Sequence, residues 1–271
     1  MAFREKIDTY GDGVGYVMLV DAMQTDASLK VVNTARASYN KSVTTVTEKD
    51  KKLIKFLDVN QHTSPFRHTT YTFELCLPLF VFRQWVKYQI GCGWREYTVE
   101  GVEVTDRVFL EIADLQFDTD KGCSWNELSA RYSELSPSFY VPDKMRTNAG
   151  HANKQASSEP SDWTDSFHSS WKDKLISKYK DDYQFYLEMI EKGIAKEIAR
   201  TSLPTAIYTK AYWTCSLSAL LHFLQQRLDP NAQYEIRKPA QDIKKLVQNY
   251  LDQDKKTTID LTELIESNGK V

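Results

Sequence analysis

No run of about 18 apolar residues occurs anywhere in this 271-residue chain, and residues 1–20 hold no apolar stretch of signal-peptide length. The sequence therefore predicts neither a membrane span nor a secreted product, and reads as a cytoplasmic protein. Cysteine is scarce: Cys76, Cys92, Cys123 and Cys215 form no Cys-x-x-Cys pair and show no ligand spacing with the five histidines. That argues against a disulfide scaffold and predicts reduced thiols and no metal. An excess of either charge is missing too, with 35 Lys and Arg against 37 Asp and Glu for a net charge of -2. A molecule so balanced does not follow nucleic acid by electrostatics, so any anion it binds must be held by a local group of cations.

What is present suffices for a core, since 41% of residues are hydrophobic and 12% aromatic. Residues 14–22 read as an opening strand, and Asp26 can cap the helix carrying Leu29, Val32, Ala35 and Ala37. A second helix is predicted over 48–59. Beyond the Pro65 break, Tyr71, Phe73 and Leu75 alternate through 68–76 in the manner of a half-buried strand, and Pro78 opens a short apolar helix. Residues 92–123 begin and end on cysteine; Val99, Val102 and Val104, a Thr-Asp turn, then Val108, Leu110 and Ile112 suggest a two-stranded arm. The polar composition of 148–165 predicts a mobile surface loop.

The remainder reads as helical. A long helix over 165–192 stops at Gly193, a short one ends near Arg200, and Pro204 breaks the chain again. Leu217, Leu220, Leu221 and Leu224, and then Ala232, Ile236, Ala240, Ile243, Leu246 and Val247, recur at helical spacing. Strands early and helices late predict an α+β fold, taken as one domain over 1–271 with an inserted arm at 92–123.

Five segments crowd polar side chains into apolar surroundings: 62–68, 82–85, 124–133, 198–204 and 223–237. Within the third, Glu127, Leu128, Ser129, Ala130 and Arg131 offer a guanidinium, a hydroxyl and backbone N–H donors together, the set a dianionic phosphate requires. Ala130 is small enough to leave the backbone accessible. Arg227 closes a leucine-faced helix at a polar turn, where a fixed cation could stabilise negative charge developing on a bound ring. A salt bridge to Asp229 or Glu235 is the plainer reading of the same residue.

Taken in order, Arg83-Gln84-Trp85, then Ser124, Asn126, Glu127, Ser129, Arg131 and Tyr132, the Leu203-Pro204 pair, and Arg227 followed by Ala232, Gln233, Glu235 and Ile236 resemble the flavin-dependent thymidylate synthases across nearly the whole chain. The resemblance implies that family's α+β fold, with a mixed sheet early and long helices in the C-terminal half. It implies reductive methylation of dUMP to dTMP using methylene-tetrahydrofolate, bound FAD and NADPH, in a homotetramer whose active sites are shared between subunits. Carried over by position, Gln84, Lys87, Glu127, Leu128, Ser129, Ala130, Arg131, Arg200 and Arg227 would hold dUMP, with Arg227 catalytic. FAD would fall to His62, Ser64, Lys87, Tyr88, Gln89, Glu127, Ser216, Ser218 and His222. No cysteine nucleophile is implied, and Cys215, read on an apolar helix, and Cys76, at a strand end, are expected to pack. Ser129 has no histidine nearby in sequence to activate it, and His68 reads as a satisfied strand histidine.

The chain departs from the family pattern in three places. Lys87-Tyr88-Gln89 stands for an Arg-His-Arg set, and an ammonium does not reproduce a guanidinium fork. Ser216-Leu217-Ser218 stands for Asn-Ala-Arg, and the arm interrupts the motif between Gly91 and Ser124. Cys92 and Cys123 would be neighbours if they form the base of a hairpin, a structural role rather than a redox one. Fewer cationic flavin contacts beside an intact nucleotide set leave two other readings open. One is a related C5 one-carbon transfer to a pyrimidine deoxynucleotide, such as hydroxymethylation, with altered or absent flavin chemistry; the other is a non-catalytic nucleotide-binding homologue.

Overall fold

A computed structural model describes residues 4–23, 26–86, 98–99, 102–103, 123–148, 157–158, 162–253 and 259–267. Its centre is an antiparallel five-stranded sheet in the order β1-β2-β3-β9-β6, formed by Lys6–Asp8, Tyr16–Ala22, Thr70–Pro78, Tyr208–Ser216 and Cys123–Glu127. Alternation dictates the buried face: Tyr71, Phe73, Leu75 and Leu77 of β3 and Ala211, Trp213 and Cys215 of β9 enter one hydrophobic core. The opposite face is polar, with Glu74 accepting from Tyr16 Oη at 2.5 Å and from Tyr212 Oη at 2.8 Å.

Helices α1 (Ala27–Arg36), α2 (Glu48–Val59), α3 (Leu79–Trp85), α6 (Leu217–Arg227), α7 (Tyr234–Gln253) and α8 (Leu261–Ser267) accompany the sheet. Asp26 caps α1 by accepting from Ser28 and Leu29 N–H, and Thr47 with Asp50 forms a capping box at the start of α2. Both ends fall where the sequence puts them. The long helix α4 (Asp165–Glu191) ends in a Schellman motif, with Gly193 at φ +79°. Gly193 N–H bonds to the Ile190 carbonyl and Ile194 N–H to that of Met189, turning the chain into the short α5 (Lys196–Ala199). None of the described helices is long and apolar enough to cross a membrane.

Three expectations are corrected. The last third is not wholly helical, because Tyr208–Ser216 is a strand at the heart of the sheet, paired along its length with β3 and along β6 as well. Cys215 therefore lies on a strand, opposite Tyr71 and Cys123, and not on a helix. His68 is exposed at the end of a 3-10 turn, Ser64–His68, just ahead of β3. In the polar stretch after 146, β7 (Thr147–Asn148) pairs with β8 (Ser157–Ser158), and Arg146 Nε donates to Ser157 Oγ at 3.1 Å. In the arm, β4 (Thr98–Val99) pairs antiparallel with β5 (Val102–Glu103), and the Thr-Asp dipeptide lies outside the described residues. Cys92, Val104, Val108, Leu110 and Ile112 lie outside the described residues.

Pro239 sits inside α7 and has no N–H to give the carbonyl of Glu235 four residues earlier. Tyr10 Oη takes that duty, donating to the Glu235 carbonyl at 2.7 Å across 225 residues of sequence. Tyr10→Phe is expected to lower stability by about 1–2 kcal/mol, the cost of an orphaned, partly buried carbonyl. A urea midpoint equal to that of wild type would show that the carbonyl finds another donor.

Candidate active site

The aromatic core decides where Gln84 goes. Trp85, fully buried at the end of α3, stacks on Phe223 of α6 with ring centroids 4.1 Å apart and meets Trp213 edge-on at 5.1 Å. Phe223 is one helical turn before Arg227, so the stack draws the C-terminal ends of α3 and α6 together. Arg227 is only 7% exposed, at the carboxyl end of α6 where a cation suits the helix dipole. Burial first, and then the Arg227 guanidinium, hold the His222 imidazole below its ordinary value, which keeps it neutral at physiological pH.

From Gln84 a chain of polar contacts leads away from α3. Gln84 Nε2 donates to Gln233 Oε1, and Gln233 Nε2 donates to Glu235 Oε2 at 3.0 Å. Glu235, 3% exposed, also accepts from Tyr140 Oη at 3.0 Å and forms an ion pair with Arg146. The guanidinium of Arg146 lies 4.8 Å from the centre of the Tyr234 ring. Lys144, Arg146, Asn148, Gln233 and Glu235 line a cleft of about 380 Å³, large enough for a small-molecule group. Glu235 thus has Arg146 as its ion-pair partner.

The phosphate-loop candidates lie at the sheet edge. Glu127 ends β6 and accepts from Thr209 Oγ1 at 3.2 Å, while Leu128 N–H bonds to the Lys210 carbonyl at 2.8 Å. A tight turn follows, closed by Tyr132 N–H on the Ser129 carbonyl, with Arg131 exposed and its guanidinium 5.3 Å from the Tyr132 ring. Ala130 is 6% exposed and packs with Leu135 and Ile207, so its small side chain anchors the turn and does not open the backbone. Leu203 joins that same cluster, directly after the 3-10 turn Arg200–Ser202. Lys196 reaches Glu134 at 3.5 Å, so the elements bearing Arg131 and Arg200 are neighbours in one chain, and both arginines are exposed.

The flavin candidates divide. Ser218 and His222 line a small cleft of about 40 Å³ together with Asp58, Gln61 and Thr63. His62 is exposed and stacks on Phe56 at 6.1 Å, and Ser64 is exposed at the start of the 3-10 turn. Ser216 is fully buried, and its hydroxyl accepts from Ala219 N–H at 3.2 Å as the cap of α6. Lys87, Tyr88 and Gln89 lie outside the described residues. Hydroxyl, imidazole and amide groups of this kind fit the polar edge of a flavin, but 40 Å³ cannot enclose its ring system. Burial pushes the Cys76 thiol up to about 11, consistent with a packing role and not with attack on a substrate.

The sequence does not announce the hydrogen-bonded network of Gln233, Glu235, Arg146, Tyr140 and Tyr10. Gln233 and Glu235 stand within a recognised segment, but nothing local points to Arg146, which lies 89 residues from its partner.

This fold and this order of polar groups define a family. The chain belongs to the one described as Thymidylate synthase complementing protein, whose profile it matches over residues 18–110 and 113–251, and it is an enzyme of the methyltransferase type. It is 35% identical over 229 residues to the flavin-dependent thymidylate synthase of Thermosipho africanus, covering 84% of each chain. A protein of the same description from Thermus thermophilus is 35% identical over 234 residues, 86% of this chain and 71% of that one. Among solved structures, a UMP/dUMP methylase, PolB from Streptomyces cacaoi, bound with 5-Br UMP, superposes with a TM-score of 0.63 at 25% identity, covering 93% of this chain and 94% of that one.

Proposed function

We propose that this enzyme transfers a one-carbon unit to C5 of dUMP, forming dTMP with methylene-tetrahydrofolate as carbon donor and NADPH as electron source. The observation that carries the reading is the Trp85–Phe223 stack, which brings the ends of the helices bearing Gln84 and Arg227 together beside a polar cleft. Gln84 would face the nucleotide, Arg227 would stabilise charge developing on the uracil ring, and Glu127, Leu128, Ser129, Ala130, Arg131 and Arg200 would receive the phosphate. FAD, when bound, supplies the reducing equivalents; His62, Ser64, Ser218 and His222 are the described residues suited to its polar edge, with Glu127 at the nucleotide side.

Exposed apolar residues on the long helix α4 and just beyond it, Trp171, Ile176, Phe185, Ile194 and Ile198, support assembly with further copies of the chain. A homotetramer would share its active sites between subunits. We take the chain as a single domain with the 92–123 arm at the mouth of the phosphate turn.

Purified protein tests the reading. Yellow material whose absorbance bleaches with NADPH, and which releases tritium from C5-labelled dUMP when folate is present, supports it. The cap role of the Ser216 hydroxyl favours a second reading, C5 transfer such as hydroxymethylation with altered flavin chemistry. Colourless protein that still releases tritium would select that one, and dUMP binding without tritium release would point to a non-catalytic homologue. Arg131→Ala is expected to weaken dUMP binding by about 1.5–3 kcal/mol, the worth of a charge-assisted contact. An unchanged dissociation constant takes Arg131 out of the site.

A further inference from the structure

Glu235 has the features of a residue that orients others. Three side chains hold its position: Tyr10 at the backbone carbonyl, and Tyr140 and Arg146 at Oε1, which leaves Oε2 to Gln233. Paired with a guanidinium, its carboxylate only accepts hydrogen bonds. Gln233 must therefore turn Nε2 toward it, which aims Gln233 Oε1 at Gln84. Gln84 must in turn present Nε2 to Gln233. The polarity of both amides follows from the chemistry of Glu235, since reversing either one sets acceptor against acceptor. Gln84 is half-buried, and its Oε1 has no partner among the described residues.

We infer that Glu235, acting through Gln233, is a positioning residue that fixes Gln84 as a hydrogen-bond acceptor, so that the enzyme reads a donor on its pyrimidine nucleotide. This rests on the proposed nucleotide reading of the Gln84 region. The donor is either the uracil N3–H or a ribose hydroxyl. A cytosine ring, with an acceptor at N3, would meet Gln84 oxygen to lone pair if the ring is what Gln84 touches. Without the relay the Gln84 amide rotates freely and offers either end, so discrimination falls even where affinity survives.

Calorimetric dissociation constants for dUMP, 3-deaza-dUMP and 3′-deoxy-dUMP, measured on wild type, Glu235→Gln and Gln233→Leu, test this. Gln233→Leu leaves the Arg146–Glu235 pair in place and so keeps the test independent of any folding defect in Glu235→Gln. In wild type, one analogue is expected to bind about tenfold more weakly than dUMP, the worth of one good hydrogen bond, and its identity names the donor. In the variants that penalty shrinks to within about twofold, because the amide can now turn. A merely structural role for Glu235 would weaken all three ligands alike and leave their ratios intact. Ratios unchanged in Gln233→Leu, or wild type that distinguishes neither analogue from dUMP, overturns the relay. No dUMP binding to wild type overturns the nucleotide reading itself, a different and recognisable failure.

Discussion

Arg227→Ala is expected to slow tritium release from C5-labelled dUMP by about 10²–10³-fold under single-turnover conditions, with a smaller effect on dUMP affinity. Uracil accumulates negative charge as C5 turns nucleophilic, and a cation stabilises that charge most when it is already in place and poorly hydrated. Arg227 meets both conditions: it is buried at the end of α6, and the adjoining Trp85–Phe223 stack restrains that end. Arg227→Lys keeps the charge but loses the planar fork, so partial recovery is expected. His222 gives a second readout that involves no substrate. Since the guanidinium contributes to holding the imidazole below its ordinary value, removing it should raise the His222 pKa, with burial still keeping it from full recovery. Undiminished tritium release removes Arg227 from the chemistry. A His222 titration that does not move on substitution separates the two groups in solution.

The sequence makes some of this architecture plain and conceals the rest for identifiable reasons. The start of helix α2 is legible because its capping box is local, Thr47 with Asp50 three residues on. Strand β3 is legible because Tyr71, Phe73 and Leu75 are large and alternate with Thr72 and Glu74. Strand β9 hides because its inward positions include small residues, Ala211 and Cys215, and because it runs into α6 with no glycine or proline between them. Its β-forming residues, Tyr208, Thr209, Tyr212, Trp213 and Thr214, were the available signal. Among the candidate site residues, Gln84, Arg131 and Arg227 are proposed from residue type and order alone. The Glu235 network could not be read that way, because its members come from residues 10, 84, 140, 146 and 233 and only the folded sheet unites them. Pro239, four residues beyond Glu235, is the one local hint, since it announces a carbonyl in need of an outside donor.

Trp85→Ala should be the most destabilising single change at the site, at about 3–5 kcal/mol in urea denaturation. The indole is fully buried against Phe223, Trp213 and Trp125, and Trp213 in turn stacks on Phe73 at 5.5 Å, so its removal opens a cavity between helix and sheet that rigid neighbours cannot fill. Trp85→Phe retains a ring for the Phe223 stack and is expected to cost less than half as much. Trp85 Nε1 has no hydrogen-bond partner among the described residues, so the substitution breaks no hydrogen bond there and the loss is one of packing. Stability and function should part company here in an informative way. Below the unfolding transition, Trp85→Ala loosens α3 against α6, so Gln84 no longer meets Gln233 in a fixed orientation, and discrimination between dUMP and the donor-lacking analogue should fall as it does in Gln233→Leu. Trp85→Phe should preserve that discrimination despite its lower midpoint. If Trp85→Ala leaves the free energy of unfolding within about 1 kcal/mol of wild type, the stack does not anchor α3. The alignment of Gln84 with the end of α6 would then need another cause.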